Sequence, residues 1–258
     1  MNSYLKKFFY LKPVIKIRNF FNFRPLNINK KILYGKVSVS DSFCWRTDKG
    51  FKTIIRFSDI PKTFYSIKQS QADIIIYNKK YELIKKIKFK NLNQLNEFII
   101  SKETLNGIED YGVFFIFHKF EDRKLSNIFI ANRCYLGFSK NDNMYSFVHG
   151  NTLSRYVNME DYDRIKTDII QNTSIKYGSK YKVQNYFDKT HINEIFLANP
   201  TSKKVEFQIN KERKILNNGE STIIKINSKK TVLIESNCLF FRPIIFSFKD
   251  KYMDVYHG

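Results

Sequence analysis

The chain has 258 residues, with 45 Lys and Arg against 24 Asp and Glu, a formal charge of +21, and 43% hydrophobic and 16% aromatic residues. That length can bury one large core or two small ones, and 9 Gly and 5 Pro exclude a fibrous or low-complexity chain. The apolar runs are too short and too often broken by lysine to cross a bilayer, and no phosphate-cradling glycine loop or dinucleotide fingerprint is present, which argues against ATP- and NAD-dependent chemistry.

Residues 1–30 form a basic, aromatic arm, with Lys6, Lys7, Phe8, Phe9, Tyr10 and Lys12 followed by Lys16, Arg18, Phe20, Phe21, Phe23 and Arg24. Charges interrupt every candidate apolar stretch, so the arm does not read as a signal peptide. Residues 1–24 are expected to contact an anionic membrane peripherally, rings at the headgroup boundary and lysines against lipid phosphate. An arm packed over the first β unit, or a loosely ordered terminus, is the alternative.

A first β unit is predicted over 31–150. Leu33, Gly35, Val37 and Val39 alternate with Tyr34, Lys36 and Ser38, the period of a strand with one solvated face. Strands are expected at 51–57, 72–77, 81–89, 127–131 and 134–138, with turns at 59–61, 78–80 and 141–143. Leu92, Leu95, Phe98 and Ile99 fall at helical spacing behind Asn91, which predicts a short amphipathic helix over 91–100. Tyr111 to Phe120 is apolar on both faces and reads as a central, covered strand.

Residues 151–178 are polar and predict a connector with a short helix over 159–170, whose first turn carries acids. A second β unit follows over 179–258, with strand, turn, strand across 195–209 and strands at 221–226, 231–235 and 243–248. Asn199-Pro200 sets a reversal and Asn217-Asn218-Gly219 punctuates the next turn. On these features the last third of the chain resembles the immunoglobulin-like and chaperone-like sandwiches that share an Asn-Pro turn and a Gly-led edge strand. The resemblance implies architecture only.

An internal repeat organises this reading. Phe138, Ser139, Asp142, His149 and Gly150 match Phe246, Ser247, Asp250, His257 and Gly258 without gaps, and each copy has an upstream cysteine, Cys134 or Cys238. The recurring His-Gly pair is expected to be architectural, the His bonding a loop carbonyl and the Gly supplying a positive φ. The fold class expected is therefore mostly β: two antiparallel β-sandwich units in tandem, immunoglobulin-like or jelly-roll-like, joined by a short helical connector.

Candidate chemistry gathers in the first unit. Trp45, Arg46, Asp41 and His149 form a candidate ligand site, the indole stacking on a sugar face while Asp and Arg fix hydroxyls or a carboxylate. The leading expectation is a non-catalytic binding or assembly protein that recognises a carbohydrate or other surface component. The alternative is a glycan-active enzyme using His118, His149 and Asp41 for proton transfer. A packed histidine at the core edge is the bland reading of His118, and a buried indole pinning the core, with Arg46 paired to Asp41 or Asp48, that of the ligand site.

The +21 charge supports a second alternative, nucleic-acid binding, because clustered cations release counterions from polyanions. Lysine here is spread along the chain beside Asn, Ile, Phe and Tyr, a profile AT-biased coding produces equally, and arginine is sparse and unclustered. His118, His149, His191 and His257 have no metal-ligand spacing, and no cofactor or metal is expected. Three scattered cysteines, Cys44, Cys134 and Cys238, give no disulfide framework and suit buried thiols in a reducing compartment. A cytoplasmic protein, peripheral to the inner face of the membrane, is the expected location.

Overall fold

Alternating apolar and polar residues, rich in β-branched and aromatic side chains, make strands of most of this chain. The computed structural model describes residues 8, 11–21, 35–120, 128–132, 134–150, 153–159, 168–169, 178–183, 187, 190–209, 211–226, 231–238 and 241–258. A helix α1 (Lys12–Phe20) comes first. The first half then holds β1 (Lys36–Asp41), β2 (Phe43–Arg46), β3 (Phe51–Ser58), a short helix α2 (Ile60–Tyr65), β4 (Ser70–Asn78), β5 (Leu83–Phe89) and β6 (Leu95–Ile100). It continues with β7 (Tyr111–Phe120), β8 (Ile128–Asn132), β9 (Tyr135–Lys140), β10 (Ser146–His149), β11 (Leu153–Asn158) and β12 (Asp168–Ile169). The second half has β13 (Ser179–Val183), β14 (Ile192–Ala198), β15 (Val205–Ile209), β16 (Glu212–Leu216), β17 (Ser221–Ile226), β18 (Val232–Ser236), β19 (Ile244–Lys249) and β20 (Tyr252–His257).

The protein is mostly β, its sheets grouped into sandwich-like units. In the first half one sheet runs β2-β7-β4-β5 and another β10-β9-β3-β6; in the second the orders are β13-β18-β15-β16 and β20-β19-β14-β17. Taken in chain order, eight strands of each half therefore occupy matching places, and every pairing within these four sheets is antiparallel. This is the arrangement a tandem repeat of one unit would give. The first half also carries a sheet β12-β11-β1-β8, which includes a parallel pair, β1 with β8.

The halves share a core. Sheet β20-β19-β14-β17 is covered on both faces: Phe196, Ile244, Phe246, Phe248 and Val255 pack with Trp45, Phe51, Phe114 and Phe138 of the first half. The alternate residues Ile195, Leu197 and Ile245 pack with Val183, Phe207 and Ile234 of the second. This explains why Ile244-Ile245-Phe246 is an unbroken apolar run, since a strand with no solvated face has no polar positions to alternate. Arg46 crosses the same boundary: its guanidinium lies against the rings of Phe51 and Phe246 and reaches Glu194 at 2.7 Å and Asp48 at 2.9 Å.

Serine hydroxyls bridge the seams where one sheet gives way to another. Ser40 Oγ accepts from Ile116 N–H and Ser38 Oγ from His118 N–H, so β1 stays bonded to β7 after diverging toward β8 and β11. Ser146 Oγ accepts from Val255 N–H in the same way, joining β10 to β20.

Several local expectations change. Residues 95–100 form strand β6, not a helix: β3 pairs with them from Thr53↔Ile100 to Ser58↔Leu95, and this cross-strand ladder outweighs the helical spacing. Asn96 fastens the entry, its side chain accepting from Asn93 N–H and donating to Asn93 O. The predicted turn at 59–61 opens α2 instead, with Asp59 as a cap that accepts from Lys62 N–H at 3.0 Å. Part of the segment expected as connector is strand β11, antiparallel to β1, and most of the helix expected over 159–170 lies outside the described residues. Among the described residues no helix is long and apolar enough to cross a membrane.

Candidate functional site

The first-half residues singled out by the sequence are placed as follows. Trp45 is fully buried, and its Nε1–H donates to Tyr77 O at 2.7 Å. The indole belongs to the core and presents no stacking face to solvent: β2 pairs Trp45 with Gly112 of β7, and its hydrogen bond reaches on to β4 at Tyr77. Arg46 is fully buried as well, held by Asp48 and Glu194 rather than by Asp41. Burial lowers the Arg46 pKa, but its hydrogen bond and charge contact with Asp48, followed by Glu194, raise it more, so the guanidinium stays charged.

His118 lies buried in β7, its ring 6.3 Å from that of Phe57. Desolvation lowers its pKa to about 4, against a weak opposing pull from Asp59, which keeps the imidazole neutral at physiological pH. His149 is exposed on β10, with its ring 4.8 Å from Tyr135. One imidazole is sealed and the other is at the surface, so they share no accessible face for proton transfer. Asp41 is buried beside the chain at Gly150, where a Cβ would fall 2.7 Å from its Oδ2 and 2.2 Å from the Phe43 ring.

The two His-Gly segments behave differently from expectation in one respect. Neither Gly150 nor Gly258 has a positive φ; both sit where a side chain would not fit, Gly258 against Pro243 and Val183. Of the two histidines, His257 bonds a carbonyl, and it does so across the halves: its Nε2 donates to the main-chain oxygen of His149 at 3.2 Å. Phe138 and Phe246, the opening residues of the two copies, also meet edge to face with ring centroids 4.8 Å apart.

An open groove of about 690 Å³ lies beside this junction. Register builds its floor: Asn193 pairs with Ser247 and Ser247 with Asp254, a row of three polar residues across β14, β19 and β20. On β20, Tyr252, Asp254 and Tyr256 alternate onto the same face. The β9–β10 turn contributes Tyr145 from the other half, and His191 stands at the start of β14. Tyr252 is 75% exposed, leaving its ring available for stacking. Burial and then Asp254 push the Tyr256 pKa up to about 12, so its hydroxyl remains a neutral donor. Such a set offers aromatic faces together with an amide, a hydroxyl and a carboxylate, and its volume is within the roughly 300–1,000 Å³ of small-molecule sites.

A smaller depression of about 360 Å³, lined by Arg56, Phe57, Ser58, Leu95, Tyr135 and Phe147, is more apolar. Among the described residues there is no cluster of three or more His, Cys, Asp or Glu suited to a metal ion. The groove escaped the sequence reading because its residues come from both halves, although Tyr252-Met-Asp254-Val-Tyr256 carries a period-two signal. No protein-family model matches the chain, and no curated protein matches it in sequence.

Proposed function

We propose that the protein is a non-catalytic binding or assembly module that recognises a carbohydrate in the groove between the β9–β10 and β19–β20 hairpins. The observation that carries this reading is the pairing of an exposed ring, Tyr252, with the polar row Asn193, Ser247 and Asp254 on a sheet buried on both faces elsewhere. Sugars present an apolar C–H face and a rim of hydroxyls, which suit a phenol ring and a set of amide, hydroxyl and carboxylate groups. Three buried free thiols suit a reducing compartment, and we place the protein in the cytoplasm.

A glycan array probed with the wild-type chain, Tyr252→Ala and Asp254→Asn tests this reading. Retention of one glycan class by wild type, weakened roughly tenfold or more by Tyr252→Ala at unchanged melting temperature, supports it; a tenfold loss corresponds to ~1.4 kcal/mol. No glycan retained by wild type, or binding indifferent to both substitutions, overturns it.

A further inference from the structure

We infer that helix α1 is an interfacial anchor for anionic lipid, an attachment separate from the groove and its ligand. At about 100° per residue, Pro13, Val14, Ile17, Phe20 and Phe21 fall within one arc of roughly 120°, while Lys12 and Lys16 lie outside it. This apolar arc is not buried in the protein: Ile17 is 56% exposed and Phe20 82%, with Leu11 just ahead of the helix at 49%. A water-facing phenylalanine and isoleucine on one side of a short helix need an apolar phase to cover them. Pro13 is tolerated in the first turn, where no intrahelical acceptor is needed for its missing N–H.

Charge selects the phase. Residues 1–40 contain nine Lys and Arg, at 6, 7, 12, 16, 18, 24, 30, 31 and 36, and not one Asp or Glu. The first acid in the chain is Asp41, at the end of β1. Over the rest of the chain 36 Lys and Arg face 24 acids, since 45 less the nine leaves 36, so the arm is set apart by the absence of acids. An apolar arc flanked by unopposed cations matches the boundary of a bilayer containing anionic lipid, where acyl chains accept the rings and headgroups the lysines. A nucleic acid would satisfy the cations but leave the Ile17 and Phe20 side chains in water, which makes it the weaker fit.

The experiment is co-sedimentation of the full chain with vesicles of phosphatidylcholine alone and of phosphatidylcholine mixed with phosphatidylglycerol. Binding to the mixed vesicles only, weakened roughly fivefold by each of Lys12→Gln and Lys16→Gln and tenfold or more by the pair Ile17→Ser and Phe20→Ser, is the expected result. The melting temperature should not change in these variants, because the side chains lie outside both cores. A Phe20→Trp variant should shift its fluorescence to the blue on the mixed vesicles and not on phosphatidylcholine. Equal binding to both vesicle types, or binding that survives Ile17→Ser with Phe20→Ser, overturns the inference. So does retention on heparin that the serine pair leaves intact while vesicle binding is absent. Glycan retention by the groove is read separately and is expected to be the same in every arm variant.

Discussion

Arg46 and Glu194, 148 positions apart in sequence, meet at 2.7 Å inside the boundary between the two halves. The contact ties the end of β2 to β14 and places a charged pair against the rings of Phe51 and Phe246. Lys49 approaches Glu194 from the solvent side, also at 2.7 Å, so one carboxylate serves two cations.

Glu194→Gln is expected to destabilise the protein by about 3 kcal/mol, toward the lower end for a broken buried pair because Asp48 still holds Arg46. Urea denaturation of wild type and variant measures this. A loss below about 1 kcal/mol would mean that this ion pair contributes little to joining the halves.

Acid should weaken the fold through His118. Its folded-state pKa of about 4 lies below the ordinary 6.5, so the unfolded chain binds the extra proton. The neutral imidazole's contribution is complete above about pH 6.5 and drains as pH falls toward 4, about 3 kcal/mol in total at ~1.4 kcal/mol per unit. Glu194 acts in the same direction at lower pH: burial raises its pKa, but Arg46 and Lys49 hold it below the usual carboxylate value, so its contribution fades as it protonates. Melting temperatures from pH 7.5 to 4.5 should decline, and the decline should be shallower in His118→Gln. Parallel curves for the two proteins would contradict the assignment.

The roles of two aromatic residues should separate cleanly. Trp45→Ala removes a buried indole and its hydrogen bond to the carbonyl of Tyr77, at about 3–5 kcal/mol of stability, whereas Tyr252→Ala removes an exposed ring and should stay within about 0.5 kcal/mol of wild type. Thermal denaturation of both variants beside the glycan measurement shows which residue belongs to the core and which to the groove.

Gly112→Ala should be among the most damaging small substitutions. A Cβ there would fall 2.2 Å from Tyr77 O and 2.7 Å from Asn78 C, main-chain atoms that move only if β4 and β7 part. A cost of about 3 kcal/mol is expected, the upper end for overpacking. At Gly107, also a glycine but with a φ of +89° and nothing within 4 Å, alanine should lose only about 1 kcal/mol from backbone strain. Comparable losses at both sites would show that space at Gly112 is not what matters.

Strands were legible at Lys36–Asp41 and Tyr111–Phe120, although the polar alternation of the first predicts a solvated face and the structure buries both faces, with Ser38 and Ser40 bonded to β7. Turn chemistry was readable in the second half, where Asn199 clamps the carbonyls of Lys203, Leu216 and Asn217 with its amide and Gly219 adopts a φ of +74°. Leu95 and Ile99 misled because helical spacing and an outward strand face can share the same residues, and only the ladder with β3 decides between them. Trp45 and Arg46 looked like site residues because rarity and polarity mark them, but sequence carries no measure of burial for either. The groove needs two hairpins 108 residues apart to be neighbours, which local pattern does not encode.

The junction of β10 with β20 has a further consequence. Each is the outermost strand of its sheet, and each stands where the other would be open to a foreign strand. Cutting the chain between its halves would therefore yield two adhesive fragments rather than two autonomous domains, with bare backbone amides ready to recruit copies of themselves. Mutual concealment, more than any single bond at the junction, gives the molecule a reason to keep both halves on one polypeptide.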